Sequence, residues 1–101
     1  MHLIQLILPL YDPDREPIPA SLFQEVKQVL VERFGGVTAF TRAPAEGLWE
    51  DGGGVARDDV LLYEVMAESL DRSWWAAYRE QLEAKFRQEE LVVRAHEIER
   101  L

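Results

Sequence analysis

The stretch Gly35-Gly-Val-Thr-Ala-Phe-Thr-Arg42, followed by Gly47-Leu-Trp-Glu-Asp-Gly-Gly-Gly54 and Asp58-Asp-Val-Leu-Leu-Tyr-Glu-Val-Met-Ala67, decides the fold. It reads as a strand, a glycine-tipped hairpin and the strand that returns from it. β-Branched and aromatic residues make the strands, and glycines that tolerate positive φ make the tip. The first strand is expected over 37–42, broken by Ala43-Pro-Ala-Glu-Gly47, with the tip at Asp51-Gly-Gly-Gly54. Residues 60–67 are the return strand, with Leu61, Tyr63 and Val65 on one face and Val60, Leu62, Glu64 and Met66 on the other. The glycine run lacks the following lysine and helix N-terminus of a phosphate loop.

Before this stretch, residues 2–10 are apolar on both faces: His2, Ile4, Leu6, Leu8 and Leu10 against Leu3, Gln5, Ile7 and Pro9. Such a strand belongs in the middle of a sheet. The turn-rich Tyr11–Pro19 follows. Its Asp12, Asp14 and Glu16 have the spacing that opens a calcium loop, but the glycine and the distal glutamate are missing, so we read an acidic turn and expect no metal site. Ser21 and Gln24 then suggest a capping box, and Leu22, Phe23, Val26, Val29, Leu30 and Phe34 recur at helical spacing up to Gly35, so a helix is expected over 21–34.

After the stretch, Asp71 or Ser73 caps a second helix whose stripe is Trp75, Tyr78, Leu82 and Phe86, with Trp74 at its shoulder. Residues 91–98 are the last strand. The order is β-α-β-β-α-β over one α+β domain, residues 1–101: a ferredoxin-like plan with a four-stranded antiparallel sheet, order 4-1-3-2, and both helices on one face. The other face is left bare and carries Leu3, Ile7, Val60, Leu62 and Met66. An apolar sheet face of that size calls for cover, and we expect a homodimer.

Composition sets outer bounds. With 48% apolar and 30% charged residues the chain is an ordinary globular one. It has no cysteine, which excludes disulfides, thiol chemistry and sulfur metal sites and suits a reducing cytoplasm. A net charge of −8 repels phosphates, so neither nucleic acid nor an anionic membrane is expected as a partner. The apolar N-terminus has no basic leader and no cleavage site, and is read as a strand rather than a signal peptide. No run approaches the roughly 20 apolar residues of a membrane span.

Glu32-Arg-Phe-Gly-Gly-Val-Thr-Ala-Phe40, Gly47-Leu-Trp-Glu-Asp51 and Asp59-Val-Leu-Leu-Tyr-Glu-Val65 together resemble a family of small uncharacterised bacterial proteins, over most of the chain. That family implies no reaction. More loosely, the topology is similar to that of the dimeric α+β barrel superfamily, which includes antibiotic-biosynthesis-type monooxygenases, haem-degrading enzymes and muconolactone-isomerase-like proteins. The looser resemblance implies two bare sheet faces packed together, and it is an analogy of fold only. No histidine matches a haem-ligating motif, and no cofactor is expected.

Glu64 is the most informative polar residue, because a carboxylate mid-strand among Leu62, Val65 and Met66 is costly unless paired. Its expected company is Gln5 and Arg94 or His96. It is a paired carboxylate at an interface, a catalytic acid or base, or a simply exposed group. Arg42, Trp49, Arg57 and Tyr63 are the candidate ligand-binding residues: two arginines flanking the hairpin that could hold a carboxylate, and a tryptophan that either caps the core or closes a pocket. His2 and His96 are expected on opposite faces, which does not make a metal pair. Two functions follow. The first is a homodimeric small-molecule-binding or assembly protein without catalysis. The second is a small cofactor-free oxygenase- or isomerase-like enzyme acting on an aromatic or carboxylate metabolite.

Overall fold

A computed structural model describes residues 1–51 and 54–101, with the backbone alone for 42–51 and 54–58. The elements are β1 (His2–Pro9), α1 (Ala20–Phe34), β2 (Thr38–Asp51), β3 (Gly54–Ala67), α2 (Arg72–Lys85) and β4 (Val92–Glu97). The strands form one antiparallel sheet in the order β2-β3-β1-β4, which reads 4-1-3-2 from the β4 edge. β1 is central, paired with β3 on one edge and β4 on the other, and its Ile4, Leu6 and Leu8 on the helix side are at most 1% exposed.

Those three side chains share a face with Leu61, Tyr63 and Val65 of β3, and both helices pack on that face. α1 contributes Phe23, Val26 and Leu30, and α2 contributes Trp75, Tyr78 and Leu82. Rings knit the layers. Phe23 meets Phe86 edge-on at 5.4 Å, while Phe34 stacks on Trp75 at 5.2 Å. Among the described residues no helix is long and apolar enough to cross a membrane.

Helix ends follow local chemistry, with one correction. α1 starts at Ala20, and Pro19 occupies the cap position with no side-chain hydrogen bond, so the expected capping box of Ser21 and Gln24 is not used. Pro19 presets φ near the helical value, observed at −58°, and its carbonyl accepts from the Leu22 amide. The chain therefore enters the helix before Ser21 can cap it. At the other end Gly35 has φ +83° and its amide donates to the Val31 carbonyl, the left-handed stop that glycine allows. Asp71 caps α2 by accepting from the Trp74 amide at 3.1 Å.

The expected break at 43–47 is present only in part, as an irregularity in pairing ahead of Ala45. β2 runs without interruption to Asp51, and the irregularity appears as a register shift between Phe40 and Ala45. β2 is an edge strand, where a proline such as Pro44 removes no bond the sheet depends on. The last β1–β3 pair is Pro9 with Val60, yet β2 and β3 continue from Glu46–Asp59 pairing to Asp51–Gly54. Among the described residues this part is a two-stranded ribbon with no third strand beside it. The acidic turn closes on itself and on α2's exit: Asp12 accepts from the Asp14 and Glu16 amides, and Arg87 donates to Asp12 at 2.9 Å and Asp14 at 3.0 Å.

Candidate functional site

Strand register arranges the uncovered face of the sheet into three rows. Phe40, Leu62, Ile7 and Val92 lie side by side across β2, β3, β1 and β4. Next to them run Thr38, Glu64, Gln5 and Arg94, and beyond those Met66, Leu3 and His96. The face is therefore a polar band between two apolar ones. Phe40, Met66 and Val92 are 48%, 48% and 46% exposed, high values for large apolar side chains. Val60 differs from expectation: it is buried, as is its partner Pro9, so this end of the face is already covered. Phe40 and Val92 were missed by sequence reasoning; only the pairing register puts them beside Leu62 and Ile7.

The polar band is a hydrogen-bonded chain. The Gln5 amide donates from Nε2 to Glu64 Oε2 at 2.6 Å, and Gln5 Oε1 accepts from Arg94 Nε at 2.8 Å. Gln5 thus stands between a carboxylate and a guanidinium that sit on opposite sides of β1. An amide suits that position because it donates at one end and accepts at the other.

An open cleft of about 980 Å³ adjoins this face where the ends of β1, α1 and β3 meet, lined among others by Leu3, Arg33, Thr38, Glu64, Met66 and Arg100. Arg33 lies over the Trp74 ring at 4.2 Å from its centroid and donates to Asp71 at 3.4 Å. Sequence reasoning did not find this cleft. Its only linear signal is Gly35-Gly36, where an added Cβ would meet nothing within 4 Å.

Of the four predicted ligand contacts, Tyr63 alone has a described side chain. Tyr63 points to the helix side of the sheet, opposite Glu64, and is 0% exposed; its hydroxyl has no hydrogen-bond partner among the described residues. Burial pushes its phenol pKa up. The side chains of Arg42, Trp49 and Arg57 lie outside the described residues. His2 and His96 occupy adjacent cross-strand rows and so face opposite ways; His2 Nε2 approaches Glu97 Oε1 at 3.9 Å.

No family model matches the chain, and no curated protein matches it in sequence. Solved structures do. The chain is similar to the periplasmic divalent cation tolerance protein CutA of Archaeoglobus fulgidus, with 18% identity and a TM-score of 0.66 over 99% of this chain and 86% of that one. It is similar to the divalent cation tolerance protein Cut A1 of Thermus thermophilus, with 16% identity and a TM-score of 0.63 over 97% and 84%. A phage SAM lyase in complex with S-methyl-5′-thioadenosine also matches, with 14% identity and a TM-score of 0.65 over 95% and 80%. Likeness at such low identity is a likeness of fold: the chain has a ferredoxin-like α+β fold.

Proposed function

We propose that residues 1–101 form one domain whose work is binding, and that it joins a second copy of itself through the uncovered sheet face. The observation that carries this is the banded face, with Phe40, Met66 and Val92 nearly half exposed around a polar chain that is already hydrogen-bonded. Surfaces of this kind mark association sites. The ribbon beyond Pro9 and Val60 adds a second demand, since two strands alone are marginally stable in water. A partner on this face would also roof the cleft from the side of Leu3, Glu64 and Met66. The cleft is then the place for a small ligand, with Arg33 and Arg100 to meet a carboxylate. Arg42, Trp49 and Arg57 remain our candidates for ligand contact on the hairpin. The enzymatic alternative has less support, because Glu64 is engaged by Gln5 and Tyr63 faces the core. Neither cation tolerance nor lyase chemistry is carried over from the structural neighbours.

Light scattering at micromolar concentration tests the reading. The expected mass is twice 11.7 kDa, and a monomer overturns it. Leu62→Glu puts an unpaired charge in the apolar row, at a cost of several kcal/mol if that row is buried. The variant is expected to be monomeric; a dimer would place the association on another surface.

A further inference from the structure

We infer that the twofold axis of the homodimer runs along β1 over Gln5, so that Arg94 of each copy pairs with the partner's Glu64. This rests on the self-association proposed above and adds its register. A face-to-face pair of identical sheets keeps its rows aligned about two in-plane axes, one along the rows and one along the strands. An axis along the rows sets Arg94 on Arg94 and Glu64 on Glu64 across a gap of about 10 Å. An axis along β1 reverses the polar row instead, and each guanidinium then faces a carboxylate. It also lays each apolar row on its own copy, Leu62 towards the partner's Val92 and Met66 towards the partner's His96.

The hydrogen bonds leave the right groups open for this. Arg94 uses only Nε within its own chain, and among the described residues its two Nη groups have no partner. Glu64 accepts through Oε2, and its Oε1 has no described partner. Among the described residues, the forked end of the guanidinium and one carboxylate oxygen are thus open on the exposed face, the parts a charge-assisted pair uses. Glu64 and Arg94 stand on the strands flanking β1, each about 4.8 Å from it. A sheet-to-sheet rotation of about 30° moves them only some 2–3 Å off register, within an arginine's reach. Interfacial charge pairs of this kind set register and exclude wrong partners more than they raise affinity.

The experiment is complementation between Glu64→Arg and Arg94→Glu, read by light scattering and sedimentation at low salt. In a twofold pair each variant alone brings like charges together twice, and its dissociation constant is expected to rise about tenfold or more. An equimolar mixture restores both opposite-charge contacts, and the heterodimer is expected to return to within about threefold of wild type. An effect confined to one chain cannot be rescued by mixing. A wild-type monomer overturns the self-association reading itself. A wild-type dimer whose variants stay dimeric, or whose mixture stays dissociated, overturns the register alone, and an assembly of three or more chains overturns the twofold axis. Should either reversal fail to fold by circular dichroism, the cysteine-free chain allows a second measurement. Glu64→Cys mixed with Arg94→Cys is expected to cross-link through a short bis-maleimide suited to sheets about 10 Å apart. Each variant alone is not, and cross-linking of either alone would establish the other axis.

Discussion

Tyr63 sits in the middle of the core with a hydroxyl that bonds to no described group. Its ring has a purpose there: Phe23 meets it edge-on at 6.5 Å, and the Lys27 ammonium lies 5.8 Å from its centroid. Among the described residues the oxygen adds desolvation without a matching hydrogen bond. Tyr63→Phe should therefore raise stability, by about 1 kcal/mol, in chemical denaturation. A loss of stability would reveal a partner for the hydroxyl outside the described residues. Gln5 and Glu64 illustrate the opposite case. Both are half-buried polar residues on a strand, and each is matched by the other across the β1–β3 pair.

At the scale of the element, the start of α2 depends on one side chain. Asp71 accepts from the Trp74 amide through Oδ1 and pairs with Arg33 through Oδ2 at 3.4 Å. Both charged groups of the pair are well exposed, so the pair is worth little and the cap dominates. Asp71→Ala should cost about 1 kcal/mol, and Asp71→Ser, which keeps a cap and loses the charge, should recover most of it. Equal losses in both variants, measured by denaturation at matched salt, would mean that the ion pair rather than the cap holds the helix end.

For the whole molecule, two core phenols couple stability to alkaline pH. Tyr78 is pushed up to about 12, by burial first and by the Glu25 carboxylate second, and Tyr63 is raised by burial. An unfolded phenol titrates near 10, so the folded state holds its proton more tightly. That contribution is complete below about pH 10 and is lost as pH rises through the folded value. Denaturation midpoints should therefore fall between about pH 10 and 12, and Tyr78→Phe should flatten the fall. The net charge of −8 adds general repulsion in the same range, which the single-site variant leaves in place. A wild-type and a variant curve of identical slope would remove Tyr78 as a cause.

Periodicity alone determined most of this architecture. Two-sided apolarity in residues 2–9 requires a central strand, and single stripes at Phe23, Val26, Leu30 and at Trp75, Tyr78, Leu82 require helices covered on one side only. The company of Glu64 was legible in part: alternation put Gln5 and either Arg94 or His96 on its face, and the register then sets Gln5 against Glu64 with Arg94 beyond Gln5. Other features depend on which residues meet across strands, and no local pattern encodes that. Pro44 reads as a break in the chain, yet an edge strand absorbs it as a register shift, since an edge residue can lack a donor without breaking a ladder. Val60 reads as exposed and is buried, while Phe40 and Val92 join the apolar row only through their alignment with Leu62 and Ile7. The cleft between Arg33, Glu64 and Arg100 draws on residues from both ends of the chain. Local sequence dictates what a segment becomes, because its hydrogen bonds and burial are settled within a few residues; a surface is assembled from distant segments, and only their packing decides what it presents.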